Sequence, residues 1–169
     1  MSRAVLISIN PPHTNNIFDR LKSIEWRTKP LPTRKYYCYE TKKCFGVGKV
    51  IGEFRIWRVK RYENISLIPE GHIDSGCVPV EFLEAYSKGR PLYANFIIEP
   101  KRYDEPKELS EFKTVCTKFY NGEHCEECKY FIDGRGYEYD ESDCGCDGLK
   151  PLERPPQSWC YVEEMRADR

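Results

Sequence analysis

The segment DRLKSIEWRTK (residues 19–29) places cationic and acidic side chains close together, between apolar ones. Successive side chains of a β-strand point to opposite faces, so a strand over residues 23–28 would divide these side chains into two groups. One group is polar and consists of Ser23, Glu25 and Arg27. Ile24 and Trp26 would face a core, with Lys22 just before the strand. The polar group is then either a solvated sheet face with paired charges or the floor of a polar pocket.

A cysteine-rich segment, residues 113–149, is the second place where residue types indicate chemistry. It holds five of the nine cysteines: Cys116, Cys125, Cys128, Cys144 and Cys146. The C-x-x-C of Cys125 and Cys128 turns two thiolates toward one ion, and thiolates in a tetrahedral set suit Zn²⁺. A glycine-rich segment with few apolar residues needs such a cross-link to fold. We therefore expect a structural zinc ion, since four thiolates leave no open coordination position.

The spacing leaves one zinc ligand open. Cys125, Cys128 and Cys144 form the firm set of three. The fourth is Cys116 or Cys146, and we favour Cys116 because two thiolates separated by one residue chelate a single ion with more strain. The competing interpretations are unliganded thiols and a redox C-x-x-C. Redox pairs usually sit in a βαβ pattern, which this sequence does not show.

The composition limits the class of protein. Lys+Arg and Asp+Glu both number 27 in 169 residues, so a polyanionic partner must be argued from local patches. No apolar run approaches the ~20 residues of a membrane span, and the N-terminus lacks the pattern of a signal peptide. An odd number of cysteines without an export signal favours metal binding over disulfides. We expect a cytoplasmic protein with reduced thiols.

The elements that must position these residues are mostly strands. Alternating or β-rich segments predict strands over residues 4–10, 23–28, 35–41, 49–62 (bulged at Gly52), 90–103 and within 154–164. Helical spacing predicts short helices within residues 13–23 and 79–89. Without a βαβ rhythm, this order favours an α+β, mostly β fold with largely antiparallel strands in a small closed or partly open barrel. The expected domains are a barrel of residues 1–112 and 150–169 and an insertion of residues 113–149.

The segment IFDRLKSIEWR resembles the signature of ASCH domains, members of the PUA-like superfamily, which reads G-x-K-x-x-E-x-R after a short helix. Lys22, Glu25 and Arg27 fall on its three charged positions, and Arg20 stands where the signature has glycine. The closing RPPQSWCYVEE also looks like the end of phage and bacterial ASCH-type proteins. The resemblance implies a PUA-like β-barrel with short flanking helices and a cleft near the charged strand. It also implies recognition of RNA or a modified nucleotide.

The same resemblance raises the question of catalysis. Some small ASCH proteins are amidohydrolases acting on N4-acetylcytidine, with a lysine, a threonine nucleophile three residues later and a separate glutamate. Here Lys22 is present, but Glu25 stands at the threonine position and the hydroxyl of Ser23 is on a neighbouring one. The catalytic set does not carry over, which favours a binding floor. The alternatives are an amidohydrolase, with Lys22 and Glu25 as acid and base and Ser23 as nucleophile, and a protein-interaction module built on the cysteine-rich segment.

A cleft that binds a nucleobase needs stacking surfaces and groups that read base edges. Suitable residues on the later strands and the PPQSW turn are Tyr93, Asn95, Gln157, Ser158 and Trp159. In this hypothesis Lys22 and Arg27 meet phosphate or a carbonyl edge, and Glu25 accepts a hydrogen bond from a base amino group. Tyr93 or Trp159 stacks on the base. Alternatively, Trp159 belongs to the core and Gln157 caps a turn.

Basic and aromatic residues interleave in two further segments, as on surfaces that bind single-stranded nucleic acid. The first contains Arg34, Lys35, Tyr36, Tyr37, Tyr39, Lys42 and Lys43. The second contains Arg55, Trp57, Arg58, Lys60, Arg61 and Tyr62. The alternative interpretation is a pair of strands with solvated cations and buried aromatic rings.

Overall fold

One six-stranded sheet contains most of the strands that the structure describes. The structure is a computed structural model, and it describes residues 3–115 and 149–165. The strands are β1 (Arg3–Ile9), β2 (Ile24–Arg27), β3 (Lys35–Glu40), β4 (Val50–Tyr62), β5 (Leu92–Lys107), β6 (Lys113–Val115), β7 (Leu149–Pro151) and β8 (Trp159–Glu163). The α-helices are α1 (His13–Phe18), α2 (Glu70–Gly76) and α3 (Val80–Ser87). The sheet order is β2-β5-β4-β3-β1-β8, and β6 and β7 form a separate ribbon.

The predicted α+β, mostly β class is confirmed. Strand β1 pairs in parallel with β3, and the other described pairs are antiparallel. The register of β4 against β5 shifts between Val50 and Gly52, as a bulge at Gly52 predicts. Helix α2 has no counterpart in the sequence prediction, because EGHIDSG contains two glycines and little apolar periodicity. None of the helices in residues 3–115 and 149–165 is long and apolar enough to cross a membrane.

The sheet is curled, so that its two edge strands approach each other. Strands β2 and β8 are first and last in the order, and six flat strands would place them about 24 Å apart. Arg27 at the end of β2 nevertheless donates a hydrogen bond to Ser158, next to β8, at 3.3 Å. Within the described residues no backbone pairing joins these edges. The fold is therefore a curled open sheet rather than a closed barrel.

The central strands carry buried apolar residues on both of their faces. On β1, Val5 and Ile7 belong to one core cluster, while Ala4 and Leu6 belong to another on the opposite face. Burial on both faces explains why AVLISIN is a nearly continuous apolar run. A third cluster includes residues from β2, α3 and β5, namely Ile24, Trp26, Leu83 and Leu92. The predicted core positions of Ile24 and Trp26 are thus confirmed.

The ribbon of β6 and β7 lies where the predicted insertion begins and ends. Val115 pairs with Leu149 across the ribbon. Just before β6, Phe112 is fully buried, and its ring centroid lies 4.9 Å from that of Tyr37 in the sheet. The core therefore anchors the chain next to the ribbon. All the cysteines of the zinc prediction fall in residues 116–148, outside the described residues.

Candidate functional site

A cleft of about 740 Å³ opens beside β2, bordered by helix α3 and the turn before β8. Four polar side chains of its lining are here called the cleft floor, namely His13, Lys22, Glu25 and Arg27. Five apolar and aromatic residues of its lining are here called the aromatic wall, namely Trp26, Val78, Phe82, Leu83 and Tyr86. Lys42, Lys43 and Gln157 also line it. This volume lies in the range of pockets that hold small molecules and cofactors.

Glu25 is the centre of the cleft floor. Its Oε1 accepts from Arg27, with Nη2 at 2.9 Å and Nε at 3.0 Å. Lys22 Nζ lies 3.4 Å from the other carboxylate oxygen. Glu25 is 8% exposed and Lys22 only 2%. A carboxylate and an ammonium at this depth require mutual compensation, so this polar group forms the floor of a pocket and not a solvated sheet face.

Helix α2 helps to hold the buried ammonium group. Lys22 Nζ donates a hydrogen bond to Gly76 O at the C-terminal end of α2, where the helix dipole favours a cation. Gly76 also permits a close approach to the cleft, because a Cβ at this position would lie 2.1 Å from Trp26 Nε1. A helix that the sequence pattern does not predict therefore fixes the position of a predicted site residue.

Burial and neighbouring charges set the protonation states of the floor. Burial alone would raise the pKa of Glu25, but Lys22 and Arg27 outweigh it and hold that pKa below its ordinary value. Burial, followed by the charge of Lys22, lowers the pKa of His13. His13 is thus neutral at pH 7, and its buried Nδ1 has no hydrogen-bond partner in the described residues. The floor offers one ligand an ionised carboxylate, two cations and a neutral imidazole.

Helix α3 supplies the outer part of the aromatic wall. Phe82 and Tyr86 lie one helical turn apart, with ring centroids separated by 6.5 Å and planes inclined by 14°. Phe82 is 57% exposed, whereas the adjacent Leu83 is buried in the core. The sequence predicts this helix, but only the fold brings it beside β2. Its signal in the sequence is the i, i+4 spacing of two rings outside the buried stripe.

His13 and the lysines at the end of the first basic–aromatic segment also enter the cleft without having been assigned to it. His13 begins α1, and Lys42 and Lys43 follow β3. The rings of this segment are mostly core, since Tyr36 and Tyr37 are fully buried. The first basic–aromatic segment therefore fits the alternative interpretation of a strand with buried rings, although its last two lysines line the cleft.

Asn95 and Ser158 hold the cleft floor in position without lining the cleft. Asn95 is fully buried on β5, and its Nδ2 donates to Glu25 O at 2.8 Å. Its Oδ1 accepts from Leu31 N at 3.0 Å, which ties the chain after β2 to the same side chain. Ser158 accepts its hydrogen bond from Arg27. Both residues contact the predicted site, but neither lines the cleft.

Ser23, Tyr93 and Trp159 do not line the cleft. Ser23 is exposed and lies just before β2, where its backbone N donates to Ser75 O at 2.9 Å. Tyr93 is half-buried on β5 opposite Arg27. Trp159 packs against the core cluster that contains Val5, which is the core position considered above. Of the nine predicted ligand-binding residues, the cleft brings together Lys22, Glu25, Arg27 and Gln157.

Metal binding finds no support in the part of the chain that is described. Within residues 3–115 and 149–165, no group of three or more His, Cys, Asp or Glu side chains could hold a metal ion. The cysteines described there are free thiols, namely Cys38, Cys44, Cys77 and Cys160. The predicted ligands Cys116, Cys125, Cys128, Cys144 and Cys146 lie outside these residues, so the zinc site stays a prediction.

Comparison with known proteins identifies structural relatives. No protein-family model matches the chain, and no curated protein matches it by sequence. The ASCH protein of Zymomonas mobilis superposes with a TM-score of 0.61 at 15% identity, covering 95% of this chain and 88% of that one. A serine-to-alanine mutant of that protein gives 0.62 at 14% identity, with 95% and 89% covered. A tyrosine-to-phenylalanine mutant gives 0.55 at 18% identity, with 63% and 76% covered. At these identities the likeness shows an ASCH-like fold alone.

Proposed function

Given this ASCH-like fold, we propose that the protein binds an RNA nucleotide, including a modified one, in the cleft beside β2. The single observation that carries this proposal is the buried carboxylate of Glu25, held ionised between Lys22 and Arg27 next to an aromatic wall. Recognition of a splayed-out base requires both features, namely hydrogen-bonding groups for its edge and rings for its face. The two are adjacent in one cleft here.

The floor can read the polar edge of a base. A carboxylate has about four acceptor sites, and the two cations leave some of those of Glu25 free for a base amino group. Arg27 has five N–H donors, and the neutral His13 has an unpartnered Nδ1. An exocyclic amine, a ring nitrogen and a carbonyl oxygen would each find a complementary group.

The aromatic wall and two lysines of the cleft lining, Lys42 and Lys43, suit the rest of a nucleotide. Phe82 and Tyr86 replace Tyr93 and Trp159 as the stacking residues of the hypothesis, because the latter two do not line the cleft. Lys42 and Lys43 would pair with phosphate. The resulting ligand has a flat, polar-edged base and at least one phosphate, which is the chemistry of a nucleotide.

Titration calorimetry with the four ribonucleoside 5′-monophosphates and their acetylated cytidine analogue tests the proposal. We expect at least one to bind, and Arg27→Gln to weaken that binding at least tenfold. Arg61→Gln is the matched control, because Arg61 is exposed and pairs with Glu63 at 3.1 Å outside the cleft. The proposal fails if the wild-type protein binds no nucleotide, or if both variants bind as the wild type does.

A small amidohydrolase acting on an acylated nucleobase is the second candidate. The observation that favours it is the Lys22–Glu25 pair beside the unpartnered His13 Nδ1, which together resemble an acid–base set. Ser23 lies outside the cleft lining, so water is the better candidate for the nucleophile. Turnover of N4-acetylcytidine that survives Ser23→Ala but not Lys22→Ala would support this reading. No turnover, with binding retained, favours the binder.

We also propose that the cysteine-rich segment binds structural zinc, with Cys125, Cys128, Cys144 and either Cys116 or Cys146 as ligands. Metal analysis of native protein should find about one zinc per chain. Cys125→Ser should lose it, and Cys44→Ser, at an exposed free thiol, should not. A segment that binds a protein partner is the further alternative. Deleting residues 114–148 would abolish that partner's binding and leave nucleotide binding intact.

A further inference from the structure

A strip of exposed side chains follows the second half of β4, outside the cleft. It consists of Arg55, Trp57, Arg58 and Lys60, and is here called the basic strip. Trp57 is 54% exposed, which leaves much of its indole ring open to solvent. None of these residues lines the cleft, and β5 separates β4 from β2 in the sheet.

The backbone explains why this part of β4 faces water. Strand β3 pairs with β4 up to Lys35 opposite Arg55, and Ile56 N still donates to Arg34 O, so from Trp57 onward β4 pairs with β5 alone. The register against β5 also shifts between Ile56 and Arg58, which makes Trp57 the extra residue of a bulge. From Trp57 onward the strip is therefore a free sheet edge. Cations on such an edge can serve simply to prevent edge-to-edge aggregation.

Two observations point beyond edge protection. Within the described residues, Arg55, Arg58 and Lys60 form no ion pair, whereas the neighbouring Arg61 does. Aromatic rings support two of these cations instead. Arg58 lies over the Phe96 ring at 5.7 Å and Lys60 over the Tyr62 ring at 4.9 Å. Side chains supported in this way keep their polar ends free for an anion.

We propose that the basic strip binds the phosphate backbone of a single-stranded RNA whose nucleotide occupies the cleft, with a further base stacked on Trp57. This inference rests on the proposed function and names its ligand as a polynucleotide rather than a free nucleotide. Free cations beside an exposed aromatic ring are the arrangement that tracks a single strand without reading its sequence. Specific recognition then belongs to the cleft and added affinity to the strip.

The test compares two ligands and two double variants. The ligands are a ribonucleoside monophosphate that binds the cleft and a 15-nucleotide single-stranded RNA. Arg58→Gln/Lys60→Gln removes two charges from the strip, and Lys88→Gln/Lys150→Gln removes two exposed charges elsewhere. Affinities are measured from 50 to 300 mM salt, with thermal unfolding to confirm that each variant is folded.

We expect the strip variant to reduce the slope of log affinity against log salt by about 1.4, from about 0.7 per phosphate contact. Affinity for the RNA should fall roughly 25-fold at 0.1 M salt, and affinity for the mononucleotide should not change. An unchanged slope, or an equal loss in the Lys88/Lys150 control, overturns the strip but leaves the cleft standing. Increased aggregation with unchanged RNA binding would assign the charges to edge protection alone. A wild-type protein that binds neither ligand contradicts both proposals.

Discussion

The cleft floor and the basic strip are built from the same residue types and behave in opposite ways. In the floor, Lys22 and Arg27 flank a buried carboxylate at 3.4 and 2.9 Å, so each charge is compensated inside the protein. In the strip, Arg58 and Lys60 are exposed and lie over aromatic rings without a described carboxylate partner. Interleaved charges and rings therefore have two meanings, and only the surrounding fold distinguishes them.

The two regions differ in how far their charges are exposed to water. Charges removed from water are costly unless paired, and they interact strongly at short range with whatever enters the site. Exposed charges interact weakly and are screened by salt within about 10 Å at 0.1 M. The floor should therefore give geometric selectivity and contribute to stability in a way that depends on pairing. The strip should give salt-dependent affinity and contribute little to stability.

The largest effect is expected where the floor loses its central charge. Glu25→Gln leaves two cations at the bottom of the cleft without a counter-charge, which should destabilise the protein by about 3–5 kcal/mol. Urea denaturation of the wild type and the variant measures this loss of stability. Glu63→Gln is the matched control, because Glu63 pairs with Arg61 at 3.1 Å but is exposed, so its loss should be below about 1 kcal/mol. Equal losses in the two variants would break the distinction between floor and surface.

Acidification should remove most of the difference in stability between the wild type and Glu25→Gln. Lys22 and Arg27 outweigh burial and lower the pKa of folded Glu25. Its contribution to stability is therefore present above about pH 4.3, the ordinary range of an unfolded glutamate, and is lost as the pH falls through the lower folded value. Urea midpoints of the wild type and Glu25→Gln should converge on acidification below that range. A gap that stays constant or widens would contradict the assigned ionisation of Glu25.

Much of the fold could be predicted because it follows from local pattern. The alternation of SIEWRT sends Ile24 and Trp26 into the core, and the apolar run of β1 matches burial on both faces. Helix α2 could not be predicted, since it forms through packing against Trp26 at Gly76 and not through propensity. The open edge between β2 and β8 likewise depends on curvature, which the chain's local pattern does not encode.

The candidate site was predictable only in part, for the same reason. Lys22, Glu25 and Arg27 are close in sequence, so their spacing predicts a common location. His13 and Phe82 reach the cleft through tertiary packing from two different helices. Trp159 has the right chemistry for stacking, but its place opposite Ile7 in the sheet puts it against the core. Residue type suggests what a side chain can do, and topology decides whether it meets a ligand.

A smaller effect is expected in the aromatic wall. Phe82→Ala removes a ring that is more than half exposed, so stability should change by less than about 0.5 kcal/mol. Nucleotide binding should weaken by about 2 kcal/mol, roughly 30-fold, if the ring stacks on a base. Leu67→Ala is a suitable control, since Leu67 is similarly exposed and lies outside the cleft. If Phe82→Ala and Leu67→Ala bind nucleotide with the same affinity, the aromatic wall takes no part in binding.

The smallest expected effect belongs to Trp57 on the basic strip. Trp57→Ala should weaken binding of the 15-nucleotide RNA by about 1 kcal/mol, roughly fivefold, the low end for a base stacked on an exposed ring. Because stacking releases no counterions, the slope of log affinity against log salt should stay at its wild-type value, unlike that of Arg58→Gln/Lys60→Gln. Trp57→Phe should restore much of the affinity. A fivefold loss that extends to the mononucleotide would instead mean that Trp57 supports the cleft indirectly, and the separation of the two regions would not hold.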